Sequence, residues 1–425
     1  MVEPSGERAQ GVFGAWSRLP LYLRILIGLV LGVITGLLLR EDARSLDVPA
    51  RLVLRVLGAL APAVVLLAVI HALMTANIRG RMASRMAGLL LLNTTVAIVI
   101  GLGVANVLEP GGHAELPPPS KAVAAPKGDV VTQLLDNVPE SLLKPLVDNK
   151  VIGVVLIAIA VGIAARRQTG SRRQFLENGV GVAFDVVLQI LHWTIAVVPL
   201  AVFGKVASIV GQAGFEPFKA LGVFVGAVLV ALLLQLVWYL LRIRLGSWVD
   251  PRAVVRGLRD ALVMAFSTAS STATMPVTYD RLRKLGLRER SSSLGALVGS
   301  NFNNDGTALY EAMSALFIAQ LLGVPLSLTD QLLIVLTSIV ASVGAAGIPE
   351  AGLVTMTLVF TAVRLPIEYI ALLLTVDWFL DRCRTAINVM GDVSVACLLD
   401  GKQRASAAEL AEEQSAAEGH AQAQG

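Results

Sequence analysis

Charge is in short supply. Only 16% of the 425 residues are Asp, Glu, Lys or Arg, against about 25% in an ordinary soluble domain, which excludes a water-soluble globule as the default. Cysteine is scarcer still: Cys383 and Cys397 both lie in one apolar C-terminal segment, so a disulfide scaffold is excluded, and neither has the neighbour spacing of a metal site. The four histidines, His71, His113, His192 and His420, are scattered and form no metal or triad spacing. No phosphate-cradling glycine motif is present. Nothing therefore argues for an enzyme, and nucleic acid is not an expected partner. What the chain has in abundance is apolar surface. At 55% hydrophobic residues and about 20 per transmembrane helix, there is material for roughly eleven spans. The expected class is an all-α membrane protein that crosses the bilayer many times, and the same composition excludes disorder.

Leu21 to Leu39 follows a polar start with no small-residue cleavage site, so it reads as a retained first span and not a signal peptide. Gly28, Gly32 and Gly36 recur there every four residues, the pattern of a helix that packs closely through a small face. Further apolar segments follow at 52–76, 86–107, 151–165, 179–210 and 218–241, then a Ser/Thr-rich stretch at 261–279, then 291–318, 321–362 and 366–399. Pro117 to Pro119 and a mixed-charge run to Lys150 mark a surface loop, and an Ala/Glu/Gln-rich tail follows Lys402.

Cations mark cytoplasmic loops. Arg79, Arg81 and Arg85 share one connection, and Arg166, Arg167, Arg172 and Arg173 share another. Arg242, Arg244, Arg252, Arg256 and Arg259 precede the Ser/Thr-rich stretch, while Arg281, Arg283, Lys284, Arg288 and Arg290 follow it. A segment that begins and ends on one face cannot be a single span, so 253–285 reads as a hairpin from inside. Its mirror is 321–362, with few charges at either end and interruptions at Gly344, Gly347 and Pro349. The loop at 40–51 mixes both signs and is placed outside. Broken hydrophobic segments entering from opposite sides point to a transporter site at the membrane midplane. A channel pore loop would show the same pattern.

Three polar constellations interrupt the apolar runs. The first, Phe266 to Pro276, carries hydroxyl residues at 267, 268, 270, 271, 272 and 274. Close helix packing would explain them, but with Pro276 they also favour a break whose free backbone donors suit a carboxylate. The second runs Gly299-Ser300-Asn301-Phe302-Asn303-Asn304-Asp305-Gly306-Thr307 and on to Glu311. An aspartate at a helix centre costs about 2.5–3.5 kcal/mol on insertion scales, so something must offset it. Carboxylate, amide and carbonyl oxygens together suit a hard alkali cation, and an interhelical hydrogen-bond knot is the alternative. Glu311 lies one turn after Thr307 on the same face and is a candidate proton carrier. In the third, Arg384, Thr385, Asn388 and Asp392 follow Asp381 at offsets of 3, 4, 7 and 11, which puts all five on one helical face. A guanidinium fork matches a carboxylate and a nearby aspartate can hold an ammonium group, so the pair describes a zwitterion with a second carboxylate. An internal Arg–Asp pair that only joins helices is the alternative.

These motifs, in this order, resemble the dicarboxylate/amino acid:cation symporter family, which includes archaeal aspartate transporters and the animal excitatory amino acid transporters. The likeness runs from the first span to about Lys402. It implies eight transmembrane helices plus two re-entrant helical hairpins, assembled as a homotrimer and working as an elevator-type transporter. The scaffold and trimerisation domain would be 15–75 and 140–217; the transport domain would be 86–107 and 218–400, with hairpins at about 253–285 and 321–362. A cytoplasmic segment 1–14, an extracytoplasmic loop 108–139 and a cytoplasmic tail 401–425 complete the expected layout. By the same resemblance Ser270 and Ser271 hold the substrate main-chain carboxylate, Arg384 the side-chain carboxylate and Asp381 the amino group. Thr385 and Asn388 are their neighbours, Thr307 contacts the distal carboxylate, and Ser342 to Pro349, with Gly347, form the extracellular gate. One sodium ion would use Gly299, Asn303 and Asn388 carbonyls with Asp392. A second would use Asn301, Ser342, Val343 and Ala345, and a third Thr94, Asn303 and Asp305, with Asn93 standing where a hydroxyl residue is usual.

Ala269 replaces an arginine of archaeal relatives, while Arg382 and the stretch Thr307 to Ala312 look like the animal branch, where the glutamate is the proton carrier. Retention of Arg384 and Asp381 favours glutamate or aspartate over neutral amino acids and simple C4-dicarboxylates. Two departures stand out: Asn304 replaces the family's usual methionine, and Glu350 puts a carboxylate beside the outer gate. The first leaves the cation stoichiometry open; by the resemblance proton coupling runs through Glu311, and potassium countertransport stays open. The expectation is a multi-pass importer of acidic amino acids in a bacterial inner membrane, coupled to sodium and with Glu311 available for protons. A proton-coupled C4-dicarboxylate symporter is the alternative, with an ion channel or a substrate-sensing membrane receptor as readings from another class.

Overall fold

A computed structural model describes residues 19–75, 81–112, 139–148, 150–344, 351–404 and 406, and all regular structure among them is helical. The first half contributes α1 (Leu21–Leu39), α2 (Val48–Thr75), α3 (Arg81–Leu108), α4 (Val151–Arg166), α5 (Gly170–Ala196), α6 (Val198–Ala213) and α7 (Glu216–Gly246). Short α8 (Pro251–Gly257) leads into α9 (Arg259–Thr268) and α10 (Ser271–Lys284). Then α11 (Glu289–Ser293), a π-helical segment (Leu294–Val298) and α12 (Gly299–Phe302) lead into α13 (Asp305–Leu321). The chain ends with α14 (Leu328–Gly344), α15 (Ala351–Ala362) and α16 (Ile370–Asp400).

The glycine repeat in α1 has a packing purpose. A Cβ on Gly28, Gly32 or Gly36 would sit 2.5, 2.7 and 2.7 Å from the carbonyl oxygens of Pro199, Phe203 and Ala207 on α6, so the two backbones approach as only glycine allows. The apolar segment 179–210 is divided between two helices that part at Val197, with Pro199 in the first turn of α6. Proline fits a first helical turn because no N–H is needed there. The stretch 40–47, expected as an outer loop, is a 3₁₀ helix packed on α6. Its Asp47 takes an ion pair from buried Lys205 at 3.4 Å, and Lys205 in turn lies 5.1 Å from the Tyr369 ring.

Packing sorts the helices into two groups. α1, α2, α4, α5 and α6 pack on one another, while α3, α7 and α9 through α16 form a second group around α16. They meet where α2 and α4 pack against α14 and α15, and where α6 meets α16. Residues 387–400 of α16 are nearly all inaccessible. At about 1.5 Å rise per residue α16 is long enough to span a bilayer, yet its charges keep it from reading as a plain lipid-facing segment. α5 is the opposite case: Val182, Val186 and Trp193 on one helical face are 63%, 55% and 64% exposed, an apolar face open to its surroundings.

Both segments read as hairpins are helix pairs in contact. α9 and α10 are joined by Ala269 and Ser270. The break lies at Ala269, whose φ of 52° is left-handed, and not at Pro276, which sits inside α10. In the second pair α14 packs against α15; its tip, with Ala345, Gly347, Pro349 and Glu350, falls outside the described residues.

Candidate functional site

Three elements, α13, α15 and α16, converge on Arg384. It projects from α16, is fully buried, and donates from Nη1 to Asp377 Oδ1 and from Nη2 to Asp381 Oδ1, both at 2.8 Å. Its guanidinium carbon lies 4.0 Å from the centre of the Tyr310 ring on α13, a cation–π contact strengthened by exclusion of water. Two ion pairs and an aromatic face hold a charge that would otherwise be prohibitive to bury. Nε has no hydrogen-bond partner among the described residues. A Cβ on Gly352, in the first turn of α15, would sit 3.5 Å from Nη2 and 3.1 Å from Thr307 Cγ2, so the absent side chain leaves room beside both groups.

Thr385, Asn388 and Thr307 lie close to this set. Thr385 Oγ1 donates to Asp381 O at 2.8 Å, and Asn388 Nδ2 lies 3.5 Å from Thr307 Oγ1 and from Asn304 Oδ1. Arg382 is half-exposed and reaches the Phe266 and Ser267 carbonyls at 3.5 and 3.3 Å, which ties α16 to the end of α9. Beyond lie Ser270 and Ser271, both buried. Ser270 Oγ accepts from Ala273 N at 3.1 Å as the N-cap of α10, and the first turn of that helix presents amide N–H groups that no helical carbonyl can take. That is a setting for a carboxylate.

The oxygen-rich stretch breaks helix between α12 and α13. Asn303 Nδ2 donates to Asn388 O at 2.8 Å, Gly306 N donates to Asn388 Oδ1 at 2.7 Å, and Asn304 Nδ2 donates to Ser342 O at 3.0 Å. The amide in place of the usual thioether therefore ties α13 directly to α14. Gly391 makes the crossing possible, since a Cβ there would lie 2.2 Å from Asn303 Nδ2. Gly299 is also tight against Asp392, with its Cβ position 2.6 Å from Asp392 Oδ1. Asn303 Oδ1 and Asp392 Oδ1 are buried and have no donor among the described residues. Unpartnered acceptor oxygens of this kind are the donor set a small hard cation takes.

Thr94 and Asp305 also come together: Thr94 Oγ1 donates to Asp305 Oδ1 at 2.6 Å, while the Tyr239 hydroxyl donates to Oδ2. Glu311 is fully buried and its Oε1 accepts from Thr355 of α15. Of the group Asn301, Ser342, Val343 and Ala345, the Asn301 side chain is exposed and donates to Leu297 O in its own helical run, leaving its backbone oxygen as the possible contribution.

Several participants went unread in the sequence. Asp377 stands seven residues before Arg384 and four before Asp381, a spacing that already puts it on their face. Tyr310 lies beside Glu311 in the second polar constellation, where its ring goes unread, while Tyr239, Thr355 and Gly352 sit in unremarkable apolar stretches and carry no local signal. Arg242 reads as a loop cation, yet it is half-buried and donates to Asn93 Oδ1.

Comparison with known proteins gives the same direction. Residues 21–402 match the sodium:dicarboxylate symporter family. An excitatory amino acid transporter of Caenorhabditis elegans is 30% identical over 439 residues, covering 89% of this chain and 87% of that protein. A C4-dicarboxylate transport protein of Bordetella avium is 27% identical over 391 residues, covering 89% and 88%. Excitatory amino acid transporter 3 of Homo sapiens is 27% identical over 440 residues, covering 87% and 83%.

Proposed function

Because the chain belongs to the sodium:dicarboxylate symporter family, we propose that it is a secondary active importer of acidic amino acids, glutamate or aspartate, driven by sodium. The observation that carries this reading is the buried set Asp377, Asp381 and Arg384. With two carboxylates on one guanidinium, the set holds one net negative charge. A C4-dicarboxylate would bring two further negative charges to it. Aspartate or glutamate brings an ammonium group that Asp381 can accept, while its distal carboxylate takes the Arg384 fork beside Thr307. The main-chain carboxylate is then directed to Ser270, Ser271 and the amides at the start of α10.

Sodium is cargo in this scheme. The unpartnered oxygens of Asp392 and Asn303 would hold one ion with the carbonyls of Gly299, Asn303 and Asn388; Asn301, Ser342, Val343 and Ala345 are proposed for a second. Because Asn388 belongs to both neighbourhoods, filling the cation site would fix the side chain that touches the substrate region. Such sharing is how two ligands come to favour one another's binding. Glu311, linked to α15 through Thr355, is the proposed proton carrier.

The two packing groups support an elevator division: a scaffold of 15–75 and 140–217, and a transport domain of 86–107 and 218–400 that carries the ligands and both hairpins. Eight transmembrane helices, a homotrimer and a bacterial inner membrane belong to the same reading. Uptake of labelled aspartate, glutamate and succinate into proteoliposomes, with sodium and pH gradients imposed separately, tests it. Accumulation of aspartate or glutamate on a sodium gradient is expected. Faster succinate uptake driven by protons alone would favour the C4-dicarboxylate reading, which the Bordetella relative's name keeps in view.

A further inference from the structure

Asp305 and Asp392 are both buried carboxylates within the same helix group, and they are partnered differently. Asp305 accepts on both oxygens, from the Thr94 and Tyr239 hydroxyls. Asp392 Oδ1 accepts from nothing among the described residues, and no Lys or Arg among them pairs with it. The difference extends one residue further out. Asn93, next to Thr94 and fully buried, takes the Arg242 guanidinium on Oδ1, while its backbone carbonyl accepts from Gln235 Nε2 at 3.3 Å.

Arg242 does not behave as a loop cation. Arg244, two residues on, is exposed, whereas Arg242 is half-buried, lies 5.7 Å from the Trp238 ring and turns inward to Asn93. The guanidinium makes no ion pair with Asp305, but it is held at Asn93, the neighbour of Thr94, and Tyr239, one turn before Arg242 on α7, donates to Asp305. Asp305 is fully buried and Arg242 half-buried, and opposite charges on such neighbouring groups remain coupled more strongly than in bulk water. A buried carboxylate needs a positive partner close by, and this one has it as part of the chain. A mobile cation brought to Asp305 would meet repulsion from Arg242 and would have to displace the Tyr239 hydroxyl from Oδ2 and turn the Thr94 hydroxyl from Oδ1 to Leu90 O, 3.1 Å away.

We infer that Arg242, held in place by Asn93, is the fixed counter-charge of Asp305 and replaces a transported cation there, so that the chain moves one sodium ion fewer per substrate than its oxygen ligands would allow. The ion at this level belongs to Asp392 and Asn303 instead. The inference rests on the sodium coupling proposed above and sharpens it. It also gives the return of the empty carrier a physical basis, because Asp305 stays compensated when no ion is bound.

The test uses the full-length protein in proteoliposomes, with labelled sodium and labelled aspartate fluxes measured in the same vesicles for the wild type, Arg242→Gln and Arg242→Lys. A second readout, independent of transport, is the shift in thermal stability on replacing choline chloride by sodium chloride without substrate. Arg242→Gln is expected to carry one more sodium ion per aspartate, with a steeper sodium dependence and a larger sodium-induced thermal shift. Arg242→Lys should keep the wild-type ratio. Arg242→Gln/Asp305→Asn removes both charges and should return ratio and shift to wild-type values. A folded Arg242→Gln with unchanged ratio and shift would overturn the inference. If Arg242→Gln does not fold, the double variant decides: recovery of folding with the wild-type ratio supports the counter-charge, and continued failure to fold assigns Arg242 a packing role and overturns it. If the wild type moves aspartate without sodium, the coupling reading fails separately; a sodium response appearing in Arg242→Gln would still uphold this inference, and its absence would sink both.

Discussion

Replacing Arg384 by cysteine removes the one cation from a site that keeps two aspartates. Arg384 makes both ion pairs at 2.8 Å and is fully buried, so the loss has two parts. Breaking a buried pair by deleting one partner costs about 3–5 kcal/mol, and this falls on the stability of the helix group. Ligand binding loses a charge-assisted contact of about 1.5–3 kcal/mol, and the uncompensated Asp377 and Asp381 then repel an incoming carboxylate. At about 1.4 kcal/mol per tenfold, the contact alone amounts to roughly 10- to 150-fold in aspartate affinity, and the repulsion places the expected loss at the upper end. The assay is competition of unlabelled ligands against residual uptake in proteoliposomes, with thermal stability measured on the same preparation. Neutral amino acids should compete in the variant where they do not in the wild type, which also reports that the pocket is folded. Aspartate affinity within about threefold of wild type, below half of the 1.4 kcal/mol tenfold step, in a folded variant would refute the assignment of Arg384 as the distal-carboxylate ligand.

Three further substitutions probe separate links. Asp381→Asn should weaken aspartate far more than succinate, since only aspartate brings an ammonium group; equal weakening in a competition assay would contradict the proposed role of Asp381. Glu311→Gln should abolish acceleration of uptake by an inside-alkaline gradient while leaving substrate exchange intact, because exchange needs no proton release; a retained response to the gradient, measured at fixed sodium, would remove Glu311 from the proton path. Gly391→Ala should lower thermal stability by about 1–3 kcal/mol, the ordinary cost of overpacking, because its Cβ would fall 2.2 Å from Asn303 Nδ2 and 2.9 Å from the Tyr239 hydroxyl. Sodium affinity should fall with it, and unchanged sodium binding in calorimetry would show that the crossing is not coupled to the cation ligands.

The parts of this site that are legible in the sequence are those that violate their surroundings. Asn303, Asn304, Asp305, Asp381, Arg384 and Asp392 interrupt apolar runs, and lipid makes such interruptions too costly to be incidental. Helical spacing then puts Asp381, Arg384 and Asn388 on one face without further information. Asp377 obeys the same spacing and could have been read with them. Tyr239 and Thr355 could not, because an aromatic ring or a threonine in an apolar helix is ordinary until its partner is known, and Tyr310, though inside the flagged stretch, gave no sign that its ring faces Arg384. Arg242 was hidden differently: cations beside a span mark topology, and only the inward turn toward Asn93 separates it from Arg244. In the fold, the small-residue face of α1 was readable from its glycines. The left-handed break at Ala269 was not, since a non-glycine residue at positive φ leaves no mark in sequence and Pro276 drew attention away from it.

The most direct test of the central claim is equilibrium binding of L-aspartate to the purified protein by calorimetry, with sodium titrated against choline at constant ionic strength and succinate measured in parallel. The account predicts that aspartate affinity rises steeply with sodium and exceeds succinate affinity throughout. Aspartate binding indifferent to sodium, or succinate binding more tightly, would contradict it.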